Sequence, residues 1–168
     1  MSTPEPTKKP TKATTSVDAI KLLTADHKEV HALFQQFLKL AAKGAKASNG
    51  DDREAIAEQI CEMLTVHATI EEEIFYPAAR TAGVDSDLLD EAEVEHATCK
   101  DLIAQILTMS SDDDLYDAKV TVLSEYVDHH VKEEQDELFP KCRKSSMDLE
   151  SIGMQLSDRK EALMAVTS

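Results

Sequence analysis

Four histidines and two glutamates stand where helical periodicity asks for apolar side chains: His27, His67, Glu71, His96, His130 and Glu134. Six titratable groups buried and unpaired would cost several kcal/mol or more, against a domain stability of roughly 5–15 kcal/mol. A bound cation offsets that cost. One histidine on a core face is ordinarily satisfied by a hydrogen bond and says little by itself. One on each of four helix seams is the same coincidence repeated, and a shared metal centre accounts for all of it.

His67/Glu71 and His130/Glu134 have the spacing His-x3-Glu. Residues four apart on a helix share a face, with Cβ atoms roughly 6 Å apart. An imidazole nitrogen and a carboxylate oxygen can then reach one ion, or the carboxylate can bridge to a second. Isolated pairs of this kind are common on helices. Here two occur at matched places, in HATIEEEIFYP (67–77) and HVKEEQDELFP (130–140). The neighbours Glu72, Glu73 and Glu133 are turned about 100° away from the histidine face. Four imidazoles and two carboxylates are too many for one tetrahedral zinc and suit two ions. Nitrogen and oxygen donors without thiolate favour iron, with manganese, zinc or cobalt also compatible. Two divalent ions would outweigh two carboxylates, so an oxo, hydroxo or aqua bridge would reduce the excess. Open coordination positions would admit a small diatomic molecule or a peroxide.

These residues need long amphipathic helices to position them. Ile20, Leu23, His27, Val30, Phe34, Phe37 and Ala41 alternate spacings of three and four, one helix face. The KGAKASNGDD stretch interrupts it, and Asp51 or Asp52 is the expected cap of a second helix through Ile60, Leu64, His67, Glu71, Ile74 and Ala78. Pro77 is expected to kink or end that helix, and Gly83 to mark the turn. A third helix starts at Ser86 or Asp87 and follows Leu89, Ala92, His96, Cys99, Ile103 and Ile106. The SSDDD run from Ser110 is the expected cap of a fourth along Val120, Leu123, Val127, His130 and Glu134, shifting by one to Leu138 before Pro140. The fold expected is all-α: an antiparallel up-down four-helix bundle. An additional short C-terminal helix, through Leu149, Ile152, Leu156 and Leu163, lies across it. The repeat relates two hairpins by a pseudo-twofold, with the site between them.

Residues 1–16, rich in Pro, Thr and Lys, read as a disordered tail; 17–145 form the bundle and 146–168 the packed C-terminal helix. The 168 residues suit a single domain. Acidic residues outnumber basic ones 33 to 18, a net charge of −15. Such a chain repels nucleic acid and anionic lipid, which sets those partners aside. Cys61, Cys99 and Cys142 lack CxxC spacing and read as small buried hydrophobes in a reducing cytoplasm. No apolar stretch near the start suggests a signal or a membrane span.

From about Val17 to Lys144, the pattern DH…HxxxE…EH…HxxxE resembles the hemerythrin family, specifically its HHE cation-binding branch. The resemblance implies a non-haem di-iron centre bridged by oxygen and two carboxylates. His27, His67, His96 and His130 match the family's single histidines, and Glu71 and Glu134 its bridging carboxylates. Oxygen carriers of the family have a second histidine four residues after the third-helix one, where Lys100 stands here; they also have Asp at five, where this chain has Glu at four. One iron is thus short of a histidine. His31 and Tyr126 are candidates to replace it, although His31 reads more simply as a flanking polar residue and Tyr126 as core packing. Lys100 and His129 read as surface groups. Asp26 and Glu95 read as helix-surface acids that could accept an imidazole N–H.

The function expected is binding or sensing of O2 or NO, or of iron or redox state, at a di-iron centre. A sensor would need a protein partner or a change in its own fold. An enzyme turning over peroxide or NO is the alternative, and iron storage or structural metal a second. A monomer or small homo-oligomer is expected. His67→Ala and Glu134→Ala are expected to lose metal and lower the melting temperature, whereas His129→Ala does neither. Metal analysis and thermal unfolding of the three variants check this. A variant set in which His129→Ala strips the metal and His130→Ala does not would shift the fourth-helix register by one.

Overall fold

A computed structural model describes residues 17–44 and 49–167; the expected N-terminal tail lies outside the described residues. Helix α1 spans Ala19–Ala41 and α2 Gly50–Ile70. A π-helical turn, Glu71–Phe75, joins α2 to α3, Tyr76–Thr81. Helix α4 spans Ser86–Ile106 and α5 Tyr116–Glu133, which passes through a second π turn, Glu134–Leu138, into α6, Phe139–Lys144. The rods α1, α2–α3, α4 and α5–α6 form the four-helix bundle, and α7, Leu149–Thr167, packs outside on α1, α2 and the first π turn.

Local chemistry sets the helix starts, not always at the expected residue. Asp18 caps α1 by accepting from the Lys21 amide at 2.9 Å. Asp51 and Asp52 lie inside the first turn of α2, not at its cap; there they still favour the positive end of the helix dipole. The cap position belongs to Asn49, whose side chain instead donates to the Leu40 carbonyl and ties off α1. Asp85 caps α4 through the Asp87 and Leu88 amides, and the helix starts at Ser86, one of the two expected starts. The SSDDD run does not cap α5. It is held as a turn, with the Ser110 amide on Asp113 and the Ser111 amide on Glu54. Beneath it Arg53, 1% exposed, pairs with Asp117 at 2.5 Å.

Pro77 neither ends nor breaks its helix. Proline lacks an N–H and its ring crowds the carbonyl four residues back. Widening the preceding turn to i→i+5 bonds relieves both: the Tyr76 amide reaches the Glu71 carbonyl, and before Pro140 the Phe139 amide reaches Glu134. The one-residue shift of the apolar pattern before Pro140 is this second π turn. Gly83, at φ +73°, makes the turn into α4.

Apolar packing falls into two clusters. One gathers Leu23, Ile70, Phe75, Leu89, Phe139 and Leu156; the other gathers Phe34, Phe37, Ile60, Ile103, Val120 and Leu123. Cys61 and Cys142 are buried, Cys99 is partly buried, and all three are free thiols. Among the described residues no helix is long and apolar enough to cross a membrane.

Helix α7 approaches the start of α1 closely. A Cβ on Gly153 would lie 2.1 Å from the Val17 carbonyl oxygen and 2.8 Å from the Ala19 nitrogen. Gly153→Ala is therefore expected to destabilise by about 1–3 kcal/mol, lowering the melting temperature by roughly 2–4 °C per kcal/mol. Thermal unfolding checks it; an unchanged midpoint would mean α7 is not seated there.

Candidate metal centre

Between the two apolar clusters the rods contribute one buried layer of donors. His27 on α1, His67 on α2, His96 on α4 and His130 on α5 are 4–7% exposed, and Glu71 and Glu134, which open the two π turns, are 0% and 2%. The sequence-derived set of six thus converges. His27 Nε2 lies 3.1 Å from His67 Nε2, and His96 Nε2 lies 3.1 Å from His130 Nε2. Glu71 reaches both pairs, Oε1 to His67 at 3.2 Å and Oε2 to His96 at 3.3 Å. Glu134 Oε2 lies 3.1 Å from His27 and 3.6 Å from His130.

Carboxylates behind the rings decide the imidazole tautomers. His67 Nδ1 faces Asp26 at 3.2 Å, His96 Nδ1 faces Glu72 at 2.9 Å, and His130 Nδ1 faces Glu95 at 2.7 Å. A neutral ring donating from Nδ1 leaves a lone pair on Nε2. In the His96/His130 pair both rings are oriented this way, and their facing lone pairs at 3.1 Å repel unless a cation or an extra proton lies between them; in the first pair His27 Nδ1 is buried without a partner. Glu71 Oε1 and Glu134 Oε2 are buried without a hydrogen bond, although imidazole nitrogens lie near both. Such groups normally find a partner. Two donor groups result: His27, His67, Glu71 and Glu134, and Glu71, His96 and His130. Nitrogen and carboxylate donors in this arrangement fit two divalent ions with Glu71 between them.

The hemerythrin HHE cation-binding domain family matches residues 18–142. The chain belongs to that family. A crystal structure of a hemerythrin HHE cation-binding domain-containing protein from Mycobacterium kansasii superposes with TM-score 0.72 over 89% of each chain, at 22% identity, a likeness of fold. A protein of Nostoc sp. described as a DNA nickase is 30% identical over 125 residues, which is 73% of this chain and 32% of that protein. The chain thus spans about a third of that relative.

Against the family pattern, the structure locates a side chain that sequence reasoning missed. Tyr76, 1% exposed, places its hydroxyl 2.9 Å from Glu134 Oε1, 3.3 Å from Glu71 Oε2, 3.3 Å from His96 Nε2 and 3.4 Å from His130 Nε2. It stands beside the histidine pair whose family neighbour is replaced by Lys100. Five residues along an α-helix is about 140° around from Glu71, which is why periodicity did not select it. The i→i+5 closure of the π turn brings it back over Glu71. The signal in the sequence was the proline following each HxxxE repeat. At the pseudo-equivalent place Phe139 stacks on His27, with ring centroids 5.9 Å apart and planes 3° apart.

Neither sequence candidate replaces the missing histidine. His31 is exposed, opposite Asp128 at 3.4 Å, and so is the flanking polar residue expected. Tyr126 is 44% exposed, not core packing, because it falls on the outer face of α5. Lys100 and His129 are exposed, the former paired with Glu72 and the latter near Glu95 and Glu133. Asp26 and Glu95 are not simple surface acids: Asp26 is 5% exposed, and each serves a histidine on a neighbouring rod.

Without metal, protons take over the task. Burial opposes charge on His67, but Glu71 and Asp26 outweigh it and raise the imidazole to about 10. Burial likewise opposes charge on His130, and Glu134 and Glu95 raise it to about 9. Burial pushes Glu71 upward, yet His67 and His96 hold it well below 4.5. Raised histidines stabilise the fold fully below their unfolded value of 6.5 and lose that contribution as pH climbs through about 9 to about 10. The depressed Glu71 contributes above 4.5 and loses its contribution as pH falls below that value. Chelator-treated protein is therefore expected to melt highest between about pH 4.5 and 6.5 and progressively lower toward pH 10. Thermal unfolding across that range checks it, and a midpoint that rises from pH 6.5 to 10 contradicts it.

Proposed function

We propose that this protein is a non-haem di-iron protein that binds or senses a diatomic molecule, O2 or NO, with iron or redox state as the alternative signal. The observation that carries the reading is a cavity of about 40 Å³ against the four histidines, walled by Val30, Met63, Leu64, Ile103, Val127 and Val131. That volume exceeds the ~10–15 Å³ needed for one water and suits a diatomic or a peroxide better than an organic substrate. Its walls are mostly apolar, with the four histidines, Asp26 and Lys100 as the charged or polar side chains along it. Cys99 also lines the cavity; burial, aided by Glu95, pushes it to about 11, so it stays a thiol.

His27, His67, Glu71 and Glu134 would hold one iron, and His96, His130 and Glu71 the other. Bound iron supplies redox-active Lewis-acid chemistry. The chain's own residues orient and neutralise: Asp26, Glu72 and Glu95 fix the ring tautomers, and Glu71 spans both positions. The net charge of −15 does not favour nucleic acid as a partner.

A second reading, an enzyme turning over peroxide or NO, is favoured by one observation. Tyr76 holds a proton at 2.9 Å from Glu134, against the second histidine pair. Burial, with Glu134 and Glu71, pushes its hydroxyl well above the usual phenol range, so it remains a donor.

Aerobically purified protein is expected to carry about two irons per chain, with charge-transfer bands that respond to dithionite, O2, NO or peroxide. Metal analysis and visible spectroscopy check it; no iron, or a single colourless zinc, overturns the di-iron reading. Tyr76→Phe separates the two functions. Unchanged gas binding and unchanged turnover favour the sensor, and a loss of about a hundredfold in turnover favours the enzyme.

A further inference from the structure

Helix α7 lies outside the bundle, yet two adjacent residues on it grip the elements that carry the centre. Lys160 Nζ donates to Asp26 Oδ1 at 2.5 Å, and Asp26 Oδ2 accepts from His67 Nδ1 at 3.2 Å. Arg159 forks onto Glu73, Nε to Oε2 at 2.6 Å and Nη2 to Oε1 at 3.1 Å. Glu73 stands two residues after Glu71 in the first π turn. The Arg159–Glu73 pair is exposed and by itself stabilises little. The Lys160–Asp26 pair is different: the side chains are 26% and 6% exposed, so solvent screens it less.

The pseudo-twofold supplies an internal control. In the second half Glu95 takes the place of Asp26 and accepts from His130 Nδ1 at 2.7 Å. Its other oxygen faces His129 Nε2 at 3.4 Å, on the same helix as His130. The second histidine pair is therefore braced by bundle residues. The first is braced through a cation delivered by a separate helix, 134 residues from the acid it holds.

We propose that Lys160 is a positioning residue for the His27/His67 metal position, acting through Asp26, and that docking of α7 is coupled to occupation of that position. The inference rests on the metal-centre reading above and gives a sensor an output within its own chain. Groups that orient a ligating histidine are worth about 10–100-fold in metal affinity. Coupling is reciprocal: the factor by which a docked α7 strengthens metal binding is the factor by which metal strengthens docking.

The test uses the full chain, stripped with chelator and titrated anaerobically with Fe(II). Metal stoichiometry and amide exchange over residues 149–167 are followed in wild type, Lys160→Met and Lys160→Arg. In wild type, loading is expected to slow α7 exchange severalfold. Lys160→Met is expected to weaken one of two iron equivalents by about tenfold, spare the other, and abolish the effect of metal on α7 exchange. Lys160→Arg is expected to restore most of both. A purely structural lysine would lower stability without singling out one equivalent. Iron uptake with unchanged α7 exchange in wild type overturns the coupling while leaving the metal centre standing, and needs no variant. Equal loss at both equivalents, or none, in Lys160→Met removes the positioning role. Failure of wild type to bind iron overturns the metal-centre reading and this inference together.

Discussion

The molecule is organised around the requirement for positive charge between facing imidazoles. The His96–His130 Nε2 contact at 3.1 Å, with both Nδ1 atoms turned to carboxylates, and two carboxylates almost fully removed from water cannot coexist without positive charge among them. Bound cations would meet the requirement, and protons would meet it in their absence. The surrounding architecture follows from holding this layer together: apolar clusters above and below, orienting carboxylates behind three of the rings, and rods long enough to give each cluster several turns of grip.

Proline placement makes the layer possible. Each HxxxE repeat ends in proline, each proline widens the turn before it, and each widened turn begins at the glutamate. The residue preceding proline is thereby rotated over the centre. Because that residue is Tyr76 in one half and Phe139 in the other, the two histidine pairs are chemically unequal. One has a hydroxyl at hydrogen-bonding distance and the other an aromatic face. Lys160 on Asp26 and His129 beside Glu95 extend the inequality outward.

Much of this was legible in the chain. The four seams, the six donors and the hairpin repeat followed from spacing alone, because α-helical periodicity holds over the stretches that carry the histidines. Legibility failed where that periodicity does. Tyr76 was invisible because an ideal helix turns it away, and a π turn is not read from spacings of three and four. Asp26 and Glu95 looked like surface acids because their partners lie on other rods. The helix caps were misjudged where the residues before a helix are tied to other elements, as the Asn49 side chain is to Leu40 and the Ser111 amide to Glu54. Lys160 could not have been singled out, since nothing local distinguishes it from other helix lysines.

The order in which the chain is made adds a consequence to the hairpin repeat. Each histidine pair belongs to one hairpin, but each bridging contact crosses to the other: Glu71 to His96, and Glu134 to His27. Synthesis completes the first hairpin, with His27, His67 and Glu71, before the second exists. For that interval the nascent chain presents three donors to solvent with one carboxylate still unmatched. Closure by the second hairpin encloses whatever ion is held there. The order of synthesis therefore fixes which donors can first meet a cation.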